Sequence, residues 1–246
     1  MRLYRISDYL TFLGDEGRDV IIVRRLLVEG HPPLIGPGTS IGNMYLGPFY
    51  YYMMAPALWL ANYSPVGPSV MVALFGVATI FFVWYFARKL FGVWGAAFSA
   101  ILYAVSPTVV SLSIFSWNPN IMPFFALLTI YSIWKFWVEE KLNWIVVAGV
   151  SMGFVLQSHY LGLLLLPTLG IFWLLTYLKA RRTDKLGGFI RNSLYATGLF
   201  ILLMSPLFIF DARHQWRNAL AMKEFFLASS GGTFGIASFL NRTISV

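Results

Sequence analysis

Between residues 67 and 210 the chain is a series of apolar stretches separated by short polar or basic turns. No other feature limits the fold as strongly. A bilayer offers no water to backbone N–H and C=O groups, so a chain crossing it must satisfy them internally, as helices or as a closed barrel. These stretches are apolar throughout, the pattern of helical spans. Six approach span length, at roughly 67–87, 94–106, 121–138, 144–157, 160–178 and 189–210. Residues 144–178 form one run interrupted by Gln157-Ser158-His159-Tyr160, which reads as a tight turn between two spans. Hydrophobic residues make up 58% of the 246 and charged residues 11%, against about 25% charged in a soluble domain. The expectation is an all-α polytopic membrane protein.

Two earlier segments differ. Residues 15–29 place Val20, Val23 and Leu27 on one side and Asp15, Arg18, Asp19 and Arg25 on the other. That pattern suits a helix lying at an interface. Residues 44–62 carry Tyr45, Phe49, Tyr50, Tyr51, Tyr52 and Trp59, aromatics that favour headgroup level. They read as a second juxtamembrane helix beginning near Pro48, with a seventh span as the alternative. The expected organisation is an outer loop at 1–66, a helix bundle at 67–210 and a second outer loop at 211–246.

The net charge of +8 falls largely on three turns: Arg88-Lys89, Lys141 with Lys135 nearby, and Lys179 through Arg191. Six spans put all three on one side, the cytoplasmic one by the positive-inside rule. No basic-aromatic tract resembles a nucleic-acid module. The chain has no cysteine, which removes disulfides and thiolate chemistry. The opposite side then receives Asp15-Glu16, Ser116-Trp117-Asn118-Pro119-Asn120, Gln157-Ser158-His159-Tyr160 and Asp211-Ala212-Arg213-His214.

Asp15 and Glu16 fit two readings. One is a helix N-cap, which accounts for one carboxylate better than for two. The other is a carboxylate that takes a proton from an acceptor hydroxyl. Arg213 and His214 are either interfacial anchors or a phosphate clamp; the guanidinium geometry suits the second. His159 is either a hydrogen-bonded structural residue or a functional one. No fixed spacing of Asp, Glu and His marks a metal site, and a divalent metal stays open. Trp117-Asn118-Pro119 reads as a span start. Asn62-Tyr63-Ser64 and Asn241-Arg242-Thr243 match the short glycosylation pattern.

Gly14-Asp15-Glu16-Gly17-Arg18-Asp19, Gly47-Pro48-Phe49-Tyr50-Tyr51-Tyr52, Ser106-Pro107, Trp117-Asn118-Pro119-Asn120 and Gln157-Ser158-His159-Tyr160 follow one another in a familiar order. Over about residues 9–217 the chain resembles the GT-C glycosyltransferases. Within them it is similar to bacterial enzymes of the dolichyl-phosphate-mannose protein mannosyltransferase and lipid A aminoarabinose transferase group. The resemblance implies an inverting transferase in the cell membrane, with its active site on the extracytoplasmic side. Its donor would be a polyprenyl-phosphate sugar; its acceptor a lipid, glycan or protein; its other partners membrane lipids. It requires no cofactor. Asp15 corresponds to the catalytic base and Glu16 to its partner in positioning the acceptor. Arg213 and His214 are candidates for the donor phosphate, with Arg18 and His159 as further substrate contacts. Family members carry a span before the acidic loop and more spans after the last one here, so a fragment is expected. A flippase for a lipid-linked substrate would place charges inside the spans, and these hold almost none. A non-catalytic scaffold would use Asp15-Glu16 only as a cap.

Overall fold

The structure is a computed structural model and describes residues 2–39 and 44–231. Asn241-Arg242-Thr243 lies outside the described residues. The fold is that of an all-α membrane protein; among the described residues the only β pairing is an isolated bridge between Gly38 and Tyr45.

A short turn of helix, α1 (Ile6–Tyr9), precedes α2 (Gly14–Glu29) and α3 (Phe49–Leu60). The third begins as the Pro48 signal predicts. It is 12 residues long, about 18 Å, too short for a hydrocarbon core about 30 Å thick.

Next comes α4 (Val66–Val105), which is two arms in one element. A straight 40-residue helix would measure about 60 Å. Gly92 prevents that: its φ of 73° and ψ of −169° are non-helical, and only glycine adopts this backbone without a steric penalty. The chain reverses there. The second arm returns beside the first, so that Tyr103 lies against Thr79. Arg2 fastens the returning arm by donating to the carbonyls of Ala104 (3.0 Å) and Tyr103 (3.4 Å). Those carbonyls belong to the helix end, where a cation is favoured.

The chain continues through α5 (Pro107–Leu112), a 3₁₀ turn at Asn118–Ile121, α6 (Met122–Trp137) and α7 (Trp144–Ser158). A second 3₁₀ turn (Tyr160–Leu164) leads into α8 (Leu165–Ala180). The helix α7 packs between α6 and α9 (Leu186–Arg213). Three segments are long and apolar enough to cross a membrane: Val66–Val105, Tyr160–Ala180 and Leu186–Arg213; Trp144–Ser158 is a shorter apolar helix.

Within residues 211–246, expected as an outer loop, α10 (Arg217–Gly231) is helical. Asp211 accepts from the backbone N–H of Asn218 (2.7 Å) and Ala219 (3.2 Å), satisfying donors that a helix start leaves unpaired. The segment is not among those long and apolar enough to cross a membrane.

The basic turns gather at one end of the bundle. Glu139 pairs with Lys135, with Lys141 at 2.8 Å and with Lys89 at 3.9 Å. Glu140 pairs with Lys179 and Lys185. Since α4 runs from Val66 towards Lys89, α3 starts and finishes at the opposite end, where the sequence placed its motifs.

Candidate active site

Leu13 opens α2 in extended conformation, and Glu16 reaches back to accept its N–H at 2.8 Å. The second oxygen of Glu16 accepts the N–H of Ser116 at 3.2 Å, across a hundred residues of chain. Glu16 is thus buried and ties α2 to the loop before α6. Burial raises its pKa, while the two backbone N–H groups oppose that rise.

Asp15 sits one residue earlier and turns outward, with 58% of its side chain exposed. Arg18 donates to it at 2.8 Å and to Asp19 at 2.8 Å, so one guanidinium joins an accessible carboxylate to a buried one. The amphipathic pattern of residues 15–29 put Asp19 on the polar, outward side. The structure instead buries it fully, because α3 covers that side and supplies a partner: the Tyr51 hydroxyl donates to Asp19 Oδ1 at 3.0 Å. Its Oδ2 is buried without a hydrogen-bond partner among the described residues. Burial pushes Asp19 up to about 6, with Arg18 holding it lower than burial alone would. Tyr51 and the adjacent Tyr50 are both pushed above the ordinary phenol range by burial. Tyr50 shares a 2.7 Å hydrogen bond with Ser116, returning to the loop that Glu16 holds.

The other motifs join the same assembly. Asn118 donates to the Ser158 carbonyl at 2.6 Å, linking the start of α6 to the end of α7. Gln157 is buried; it accepts the Phe49 N–H at 3.3 Å and donates to the Leu203 carbonyl at 3.1 Å. One side chain therefore fixes the start of α3 against α7 and α9. Gly47 makes room for it, since a Cβ there would lie 2.2 Å from Gln157 Oε1. His159 accepts the Leu161 N–H at Nδ1 (3.1 Å) and stacks on Tyr160 with ring centroids 4.4 Å apart. Burial lowers its pKa, which favours the neutral ring.

Beyond residues 44–47 lies an apolar cavity of about 390 Å³. Tyr45, Tyr160, Met204, Phe208, Asp211 and Asn218 are among its walls. His214 is bonded to the Phe210 carbonyl at 2.8 Å and stacks on that ring. Arg213 is exposed and forms no ion pair among the described residues. Asp15, Glu16 and Arg18 are thus assembled directly. His159 adjoins them through Ser158 and Asn118, and Arg213 and His214 stand apart, past the cavity.

The family model for dolichyl-phosphate-mannose-protein mannosyltransferase matches residues 46–210. The chain belongs to this family. It is a membrane glycosyltransferase of the GT-C type. No curated protein and no solved structure matches the chain. The match opens at the Gly47-Pro48 turn and closes at the end of α9, so the acidic loop and the 211–214 cluster of the transferase lie outside it.

Sequence reasoning placed Asp19, Tyr51, Ser116 and Gln157 in its motifs but missed their bonds to one another and to the chain around them. Asp19 was visible as a third carboxylate in the acidic loop, but its partner Tyr51 is 32 residues away. Among the described residues no group of three or more His, Cys, Asp or Glu is placed to hold a metal ion.

Proposed function

We propose that this glycosyltransferase moves a sugar from a polyprenyl-phosphate donor to an acceptor hydroxyl at the extracytoplasmic face, with inversion, and that Asp15 is the base. One observation carries the reading. Of the three carboxylates in the acidic loop, Glu16 and Asp19 are buried and hydrogen-bonded within the fold, while Asp15 is open to an approaching acceptor. A base must come within hydrogen-bond reach of the proton it removes. Arg18 donates to Asp15 at 2.8 Å and holds its carboxylate in one orientation at the surface.

In this mechanism the acceptor hydroxyl approaches Asp15, which takes its proton as the oxygen attacks the anomeric carbon. The bond from that carbon to the lipid phosphate breaks on the opposite face, giving inversion. The phosphate leaves with the bonding electrons, and cationic groups stabilise it. Arg213 is our candidate there, being an exposed guanidinium beyond the cavity with no ion pair among the described residues. The cavity is apolar enough to take the first isoprene units of the donor. His159 presents Nε2–H as a donor towards substrate.

The test uses the full-length protein in lipid vesicles. A polyprenyl-phosphate sugar should support transfer without any nucleotide sugar, giving a product of inverted anomeric configuration. Transfer only from a nucleotide sugar would overturn the donor assignment. For sidedness, a cysteine at His31 should react with an impermeant thiol reagent in intact cells, and one at Lys185 should not; both positions are exposed in the fold. The reverse pattern would place the site on the cytoplasmic face.

A further inference from the structure

A groove of about 580 Å³ runs along the outside of the bundle, between the first arm of α4 and α6. It lies away from the candidate active site and plays no part in the mechanism above. Phe81, Phe82, Phe124 and Leu128 form its apolar walls. From Phe124 to Lys135 it extends about 16 Å at the helical rise. That is close to half of a hydrocarbon core about 30 Å thick, the depth of one leaflet.

The groove closes on charge. Lys135 and Lys141 line its end. They belong to a cluster in which three ammonium groups, Lys89, Lys135 and Lys141, face the single carboxylate of Glu139. The excess is positive. Lys135 is almost fully buried, surrounded by the rings of Tyr131, Trp134 and Trp144 at 5.6–5.7 Å. Lys141 keeps 56% of its side chain exposed and can turn to a second anion. The Tyr85 and Tyr131 hydroxyls, 3.4 Å apart, add hydrogen-bonding capacity at the same level.

We propose that this groove binds one anionic phospholipid of the cytoplasmic leaflet, an acyl chain along the aromatic wall and the phosphate at Lys141 and Lys135. Charge complementarity and leaflet-length apolar contact select this occupant together. A neutral lipid would leave the excess ammonium charge without a partner, and a soluble anion would leave the aromatic wall bare. The site lies at the opposite end from Asp15, so it is independent of the donor reading.

Native mass spectrometry of the full chain, released from micelles containing phosphatidylglycerol or phosphatidylcholine, tests it. One phosphatidylglycerol should be retained in clear preference to phosphatidylcholine. Lys141→Gln should weaken that retention about fivefold, the order expected for one basic side chain at a membrane surface. Leu128→Trp should displace the lipid by filling the groove while leaving every charge in place. Arg181→Gln, at the same end but outside the groove, should change nothing. Equal retention of the two lipids would overturn the proposal. So would loss of preference in Arg181→Gln equal to that in Lys141→Gln, which would make the effect a diffuse surface field. A dimer that Leu128→Trp disrupts, with no lipid preference, would give the groove to a second copy of the chain.

Discussion

The two ends of the bundle use carboxylates in opposite ways. At the basic end, Glu139 and Glu140 stand near water, each between lysines. Hydrogen bonds from Lys135 and Lys141 push Glu139 down to about 2, and those from Lys179 and Lys185 do the same for Glu140. At the other end, Glu16 and Asp19 lie inside the protein. They are held by backbone N–H groups, a tyrosine and one arginine, and desolvation drives their pKa values up. Charge pairing organises one end; buried hydrogen bonding organises the other. The first tolerates movement, because exposed ion pairs contribute little and accept many geometries. The second fixes positions, because each buried polar group unpaired on movement costs about 1–3 kcal/mol. The proposal that Asp15 is an accessible base held beside a lipid phosphate calls for the second kind.

Gln157→Leu should break that contrast most severely. It leaves the Phe49 N–H without its acceptor and takes the side-chain donor from the Leu203 carbonyl, and should cost about 2–4 kcal/mol in thermal or denaturant unfolding. A variant as stable as wild type would show that hydrogen bonding does not fix the active-site end.

The pH response separates the ends next. Asp19 has its folded pKa raised to about 6 from an ordinary 3.8. Between those values the folded protein keeps a proton that the unfolded chain has released. Its contribution to stability is therefore fully present below the unfolded value and is lost as pH rises through about 6, by an amount on the order of 3 kcal/mol. Asp19→Asn should remove that fall while keeping an acceptor for Tyr51. Glu139, depressed to about 2 from 4.5, contributes in the reverse sense: its share is fully present above the unfolded value and is lost as pH falls from there through about 2. Unfolding of wild type and Asp19→Asn from pH 4 to 7 reads the difference; parallel curves would show Asp19 to be ionised and well solvated.

Glu139→Gln should have a smaller effect, about 1–2 kcal/mol at pH 7. The cost of leaving the nearly buried Lys135 without its anion is reduced by the exposure of Lys141 and Lys89. A loss as large as that in Gln157→Leu would erase the contrast between the ends.

Much of this architecture could be read from the chain before any coordinates. Hydropathy located the apolar helices, Pro48 marked the start of α3, and the Gln157–Tyr160 break fell where α7 ends. The one-sided distribution of lysine and arginine sorted the turns into two groups that the fold keeps apart. These signals are local, or depend on composition summed over a window. The divided roles within the acidic loop are not local. Asp15, Glu16 and Asp19 differ because α3 and the Ser116 loop cover two of them and leave the third open, and nothing within residues 14–19 records that. Asp211 was read with Arg213 and His214, and its capping bonds were not legible for the same reason: they go to a helix starting six residues later.

The central claim is that Asp15 reacts while its two neighbours hold the site in shape. The direct measurement is the transfer rate and the thermal midpoint of Asp15→Asn, Glu16→Gln and Asp19→Asn, made in the full-length protein with a polyprenyl-phosphate sugar. Asp15→Asn keeps the side chain's shape and its bond to Arg18 but cannot take a proton. Its kcat should fall by roughly 10²–10⁴ with the midpoint unchanged. Glu16→Gln should lose stability and a smaller part of its rate. An Asp15→Asn enzyme with wild-type kcat, alongside a folded Glu16→Gln or Asp19→Asn enzyme that is inactive, would contradict the account and move the base into the buried pair.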